Sequence, residues 1–165
     1  MWTPLREEIG IAQKYLHIPE SEFRPLPHTT NWHELEEKIY KTFCQLEHPT
    51  DRPIWLWTIF KNKEYFLDFE TTSYLFLTSL VDKEETVWFM VNETVNENEK
   101  FWFYEGKVEA IQTVFGESTY TDEIYLISKK YEWILCLNHH DCFIGSGKKI
   151  IENMQQLAVS LGRPV

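Results

Sequence analysis

Glu123-Ile124-Tyr125-Leu126-Ile127-Ser128-Lys129-Lys130-Tyr131-Glu132-Trp133-Ile134-Leu135-Cys136-Leu137-Asn138-His139-His140-Asp141-Cys142-Phe143-Ile144-Gly145 is the stretch that decides the fold. Apolar, β-branched and aromatic residues fill 123–127, 131–137 and 142–145, and polar residues fill the gaps. Such runs bounded by turn residues read as strands. The gaps 128–130 and 138–141 are too short for parallel crossovers, so the three strands form an antiparallel meander.

Working outward, Lys148 onward is helical: Ile150, Ile151, Met154, Leu157, Ala158 and Leu161 form one stripe, Gly162 stops it and Pro164 follows. Gly145-Ser146-Gly147-Lys148-Lys149 ahead of it invites comparison with a phosphate-binding loop. That pattern needs Gly where Cys142 stands and Ser or Thr where Lys149 stands, so the reading is a strand-to-helix turn capped by Ser146. Upstream, strands are expected at 86–91 and 100–104, with the polar loop 92–99 between them, and a helix at 105–115. The run 72–81 fits helix or strand by periodicity, and the caps offered by Thr71, Thr72 and Ser73 favour helix. Ile54 to Phe60 reads as a strand with 64–69 as its hairpin partner. Near the start, Thr3-Pro4 opens a helix whose core face is Leu5, Ile9, Ala12 and Leu16. Asn31 caps a second helix, with Leu35, Ile39 and Phe43 inward. Between them 17–30, with three prolines, reads as an extended surface arm.

Helices, then strands broken by helices, then consecutive strands predict a single α+β domain over 1–165. Its sheet is mainly antiparallel, with N-terminal helices and a C-terminal helix packed on it. At 165 residues and 43% hydrophobic the chain can bury a full core. The 26 acids against 16 bases give −10, divided as −5 in residues 1–82 and −5 in 83–165. That charge argues against gripping nucleic acid or an anionic membrane. The start has no signal-peptide pattern, no apolar run is long enough to span a membrane, and three cysteines make no disulfide framework; together these predict reduced thiols in the cytoplasm.

The densest chemistry is Cys136-x-x-His139-His140-Asp141-Cys142. Cysteine and histidine are zinc ligands, but a structural site normally needs a second pair, which is missing, so no metal is predicted. A catalytic set is the alternative: His139 or His140 as base, Asp141 as orienter, Cys142 as nucleophile. Residues adjacent on a strand face opposite ways, which counts against Asp141 and Cys142 sharing a substrate. The bland reading is a hairpin with both thiols in the core. No catalytic residue and no cofactor is therefore predicted. Trp55 and Trp57 share one face of their expected strand, and core packing is the default for the sheet aromatics. Asp82, Glu84 and Glu85, with Glu93, Glu97 and Glu99, concentrate acid at two expected strand ends. They are the predicted rim for a basic partner.

The segment 123–141, with Phe101-Trp102-Phe103-Tyr104-Glu105-Gly106 and Val87-Trp88-Phe89-Met90-Val91, resembles a small family of Bacillus-type cytosolic proteins. Several of these are regarded as immunity proteins, the antitoxins of polymorphic toxin systems. The resemblance spans about residues 54–147 and carries no catalytic residue to transfer. It implies a binding protein that occludes the active site of a basic toxin domain. Toxins that cut nucleic acid are usually basic, so an acidic inhibitor is complementary to them. The other readings are an enzyme using His139, His140 and Asp141, or a regulatory protein.

Overall fold

The computed structural model describes residues 4–93, 100–119 and 121–165; of Glu93 it describes the backbone only. The fold is α+β, as the order of elements predicts. Seven strands form one sheet in the order β1-β4-β3-β5-β6-β7-β2, and every neighbouring pair is antiparallel. The strands are β1 (Phe23–Pro25), β2 (Glu64–Asp68), β3 (Thr86–Glu93), β4 (Trp102–Lys107), β5 (Thr121–Ser128), β6 (Ile134–Leu137) and β7 (Cys142–Ser146). The helices are α1 (Pro4–Tyr15), α2 (Trp32–Phe43), α3 (Leu77–Leu80), α4 (Val108–Gly116) and α5 (Lys148–Ser160).

Both faces of the sheet are covered. On one, Leu5 and Ile9 of α1, Leu77 and Leu80 of α3, Ile111 of α4 and Met154 of α5 pack on Val87, Phe89, Ile124, Leu126, Leu135 and Phe143. On the other, Leu35, Ile39, Tyr40 and Phe43 of α2, with Leu56, pack on Met90, Phe103, Tyr125, Ile134, Cys136 and Ile144. β5 lies mid-sheet between the two layers, and Glu123 to Ser128 are all buried. That explains its unbroken apolar run, which a one-sided strand would interrupt with polar residues.

The meander β5-β6-β7 is as expected, in the register Tyr125↔Cys136↔Ile144. β6 begins at Ile134 rather than 131, because Tyr131 adopts φ +58° within a turn closed by its N–H on Ser128 O, 2.8 Å. The arm holds the short β1, whose Phe23 is fully buried. β4 runs on to Lys107, so α4 starts at Val108 and not 105: Glu105 and Gly106 pair with β1 and β3 at once. The run 72–81 is helical: a 3-10 turn at Ser73–Phe76 leads into α3. No side chain caps that turn, and Thr72 sits at φ +56° instead. Asn31 Oδ1 accepts from Glu34 N at 3.4 Å and caps α2 as expected, whereas Thr3 lies outside the described residues.

The segment 54–60 is a correction. It is no strand: Leu56–Ile59 is a 3-10 turn on the sheet face, so Trp55 and Trp57 share no strand face. Only Phe60 bridges, to Cys44. β2 pairs with β7 instead, from Glu64↔Ser146 to Asp68↔Cys142. Leu56 decides this, because its buried side chain and its N–H on the Tyr125 hydroxyl (3.0 Å) hold the backbone against β5.

Candidate functional site

The turn between β6 and β7 is built by Asn138. Its buried Oδ1 accepts from His140 N (3.0 Å) and Cys142 N (3.1 Å), an Asx-type arrangement that replaces missing backbone bonds. Asp141 then adopts φ +56°, a left-handed conformation that Asp tolerates better than most residues. Its carboxylate accepts from Ser73 Oγ at 2.9 Å, and its carbonyl accepts from Phe69 N at 3.1 Å. Asp141 thus fastens the turn to the 69–73 segment and orients neither imidazole. Cys142 is in the core, its thiol pushed up to about 12 by burial and then by Asp68. Cys136 is fully buried, and burial also raises its thiol. Asp141 and Cys142 therefore do not join the histidines in a catalytic set.

His139 meets a residue that the sequence reading took only as the start of a strand. His139 Nδ1 lies 3.0 Å from Glu123 Oε1. Glu123 is fully buried on the α2 side of β5, beside Tyr125. Trp57 Nε1 donates to its Oε1 (3.0 Å) and the Tyr125 hydroxyl donates to its Oε2 (2.8 Å). Its backbone N–H donates to Asn92 Oδ1 at 3.0 Å; Asn92 is buried, not the start of a solvated loop. Burial raises the Glu123 carboxyl above the usual carboxylate range, and the donors from Trp57, Tyr125 and His139 partly oppose it. Tyr125 is raised well above 10, by burial first, so its hydroxyl stays a donor.

At the surface, the His139 and His140 rings lie 4.0 Å apart, and Trp55 sits 5.9 Å from His139. The His139 side chain is 32% exposed and Trp55 is 48% exposed. In the tautomer that satisfies Glu123, Nδ1 donates and Nε2 is left as an acceptor. That is how a carboxylate orients a histidine base, and equally how it fixes an aromatic platform. One sequence signal for Glu123 existed: it leads directly into the apolar run 124–127, two residues before Tyr125 on the same face.

The acidic residues are placed as follows. Asp82 Oδ1 accepts from Glu84 N (2.8 Å), Glu84 pairs with Lys107 (2.7 Å) and Glu85 pairs with Lys149 (3.5 Å). Lys107 lowers the Glu84 carboxyl, and Glu84 raises the Lys107 ammonium. Glu93 ends β3 at its opposite end from Glu85, roughly 25 Å away at ~3.3 Å per residue. Glu85 and Glu93 therefore stand at opposite ends of β3. Glu97 and Glu99 lie outside the described residues.

Among the described residues no group of three or more His, Cys, Asp or Glu is placed to hold a metal ion. Ser146 does not cap α5. It is buried with Oγ 3.3 Å from Lys63 O, and Gly147 takes the cap position. Among the described residues no helix is long and apolar enough to cross a membrane.

The cysteines yield a direct expectation. Cys44 is also buried and pushed up to about 12, so all three are hidden and protonated at neutral pH. Ellman's reagent at pH 8 should label none of them in the native protein and all three in guanidinium. Fast labelling of one in the native state would show that the segment holding it opens.

No curated protein and no solved structure matches the chain. A family model matches residues 1–158, nearly the whole chain, and this protein belongs to that family, a family of unknown function (DUF6756).

Proposed function

We propose that this protein is a binding protein of the immunity type, which neutralises a basic toxin domain by covering its active site. The observation that carries the reading is Trp55. It is a half-exposed indole beside the His139–His140 pair, on a chain of net charge −10. The platform beneath it is rigid, because the buried Glu123 holds Trp57, Tyr125 and His139 together. A large aromatic presented by a fixed support is what an interface uses as an anchor, and long-range acid supplies the on-rate. The resemblance of residues 54–147 to immunity proteins points the same way.

The test is co-expression with the basic C-terminal domain of a secreted protein encoded beside this gene. Growth should be rescued and a complex should co-purify, with an association rate that falls as salt rises. Trp55→Ala should weaken that complex by about 30-fold, the ~2 kcal/mol of an anchor residue, while leaving the fold intact. Neither rescue nor complex would end the proposal.

A further inference from the structure

The two edges of the sheet are built differently. β1 is three residues long and ends in Pro25, which has no N–H to offer a further strand. β2 is five residues long, holds no proline and pairs with β7 in an unbroken register. It is the last strand in the sheet order, so one of its sides is unpaired. Phe69 N donates to Asp141 O at 3.1 Å, and that bond sets the phase of the ladder. Residues of an antiparallel strand alternate between turning their N–H and C=O to the partner and turning them away. Tyr65 and Leu67 therefore turn theirs to β7, opposite Gly145 and Phe143, and Glu64 and Phe66 turn theirs outward. Arg163 Nη1 donates to the Asp68 carbonyl, the next outward group, and takes that rung.

The side chains along this edge carry a pattern. Glu64, Phe66 and Asp68 share one face of β2, in the order acid, aromatic, acid. Phe66 is 47% exposed in the middle of the strand. Among the described residues Glu64 and Asp68 are in no ion pair. Burial raises the Glu64 carboxyl, and no cation opposes it. An open edge takes up a further strand by main-chain hydrogen bonds, and alternate side chains then set the choice of partner. Here they decide between occupants. A second copy paired antiparallel about Phe66 would bring Glu64 and Asp68 of the two copies face to face, and like charges across a strand pair repel. A strand with a basic residue on each side of an apolar one would meet both acids with the opposite charge.

We propose that the free edge of β2 is a docking site for an extended basic segment of a partner protein, which joins the seven-stranded sheet as a further strand. Its main chain bonds to Glu64 and Phe66. An apolar side chain packs on Phe66, and flanking lysine or arginine side chains meet Glu64 and Asp68. The site uses none of the residues of the Trp55 platform and stands without the toxin-neutralising reading.

The probe is the end-blocked peptide Thr-Lys-Thr-Val-Thr-Lys-Thr, and the readout is amide hydrogen exchange by NMR in the full-length protein. Without peptide, the Glu64 and Phe66 amides should exchange fast and those of Tyr65 and Leu67 slowly. A few net hydrogen bonds correspond to a Kd on the order of 1 mM. At about 5 mM peptide the Phe66 amide should then slow about 6-fold, because protection scales as 1 + [L]/Kd. The same peptide with glutamate for lysine, or with proline for valine, should slow it less than about 2-fold. Glu64→Lys breaks no ion pair among the described residues and should reverse the preference between the lysine and glutamate peptides. No slowing at about 10 mM peptide, equal slowing by either control peptide, or an unreversed preference in Glu64→Lys overturns the proposal. So does Phe66 exchange that slows with rising protein concentration and no peptide, which would give the edge to a second copy.

Discussion

Glu123→Ala is expected to destabilise the protein by about 3–5 kcal/mol, the cost of removing one member of a buried charged network. The carboxylate is the common acceptor for Trp57 Nε1, the Tyr125 hydroxyl and His139 Nδ1. His139 escapes most of the penalty because it is 32% exposed and can turn to water. Tyr125 has a fallback in Ile54 O at 3.3 Å, a longer bond. Trp57 has no other acceptor shown, so its partly buried N–H loses its partner at ~1–3 kcal/mol, and the emptied volume adds to this. Glu123→Gln keeps a carbonyl acceptor and should cost less than alanine, about 1–2 kcal/mol. Its amide hydrogens face a Tyr125 oxygen already accepting from Leu56 N.

The same residue carries a pH signature. Burial raises the folded carboxyl above the unfolded value of 4.5, so the native state binds the proton more tightly than the unfolded chain. Between those two pKa values unfolding releases a proton, and stability falls as pH rises. Its contribution is most favourable below pH 4.5 and is lost as pH climbs through the folded pKa. Glutamine has no such term. Urea midpoints measured from acid to neutral pH should therefore show wild type losing ground to Glu123→Gln as pH rises, then a constant gap. A gap that grows with pH would mean that the donors outweigh burial, contrary to the assignment. Loss of stability in Glu123→Ala together with loss of Trp55-dependent binding would tie the platform to its foundation.

How much of this was legible depends on where each contact reaches. The meander was readable because its runs and turns are local: Ser128 to Tyr131 and Asn138 to Asp141 close their own turns by hydrogen bonds three residues apart. The stripes of α1, α2 and α5 were readable for the same reason, since a helix face repeats every few residues, although Leu161, expected on the α5 stripe, lies past the helix end and is exposed. The segment 54–60 was misread because its composition favours strand while its conformation is set 69 residues away, by the bond from Leu56 N to Tyr125. Glu123 was passed over as a site for a similar reason. A carboxylate in a strand reads as solvated until Trp57, 66 residues upstream, and His139, 16 residues downstream, are brought to it. Asp141 was the natural orienter by adjacency, yet Ser73, 68 residues away, claims it. Composition names the groups; the sheet register decides which of them meet.

Gly147→Ala should be the other severe substitution, at about 3–5 kcal/mol, and the reason reaches back to the Gly-Ser-Gly-Lys-Lys stretch. That glycine does not make room for a phosphate. It stands at φ +112°, which L residues rarely adopt, and a Cβ there would sit 2.4 Å from Glu132 O and 2.7 Å from Trp133 Cα. Backbone atoms cannot swing aside as a side-chain tip can. Relief would require shifting Trp133, which is 2% exposed, and with it the entry to β6. Two glycines separate the causes. Gly162 also has positive φ (+70°) but open space around it, so Gly162→Ala should cost only about 1 kcal/mol, from strain alone. Gly10 has ordinary φ and open space within α1, so Gly10→Ala should stabilise by about 0.5–1 kcal/mol. Thermal unfolding should rank them with Gly147→Ala lowest, down by roughly 10 °C or more for a domain of this size, and Gly10→Ala above wild type. Were Gly147→Ala to melt with Gly162→Ala, the close approach to Glu132 and Trp133 could not be what fixes the β7–α5 corner, and conformational strain alone would have to carry it.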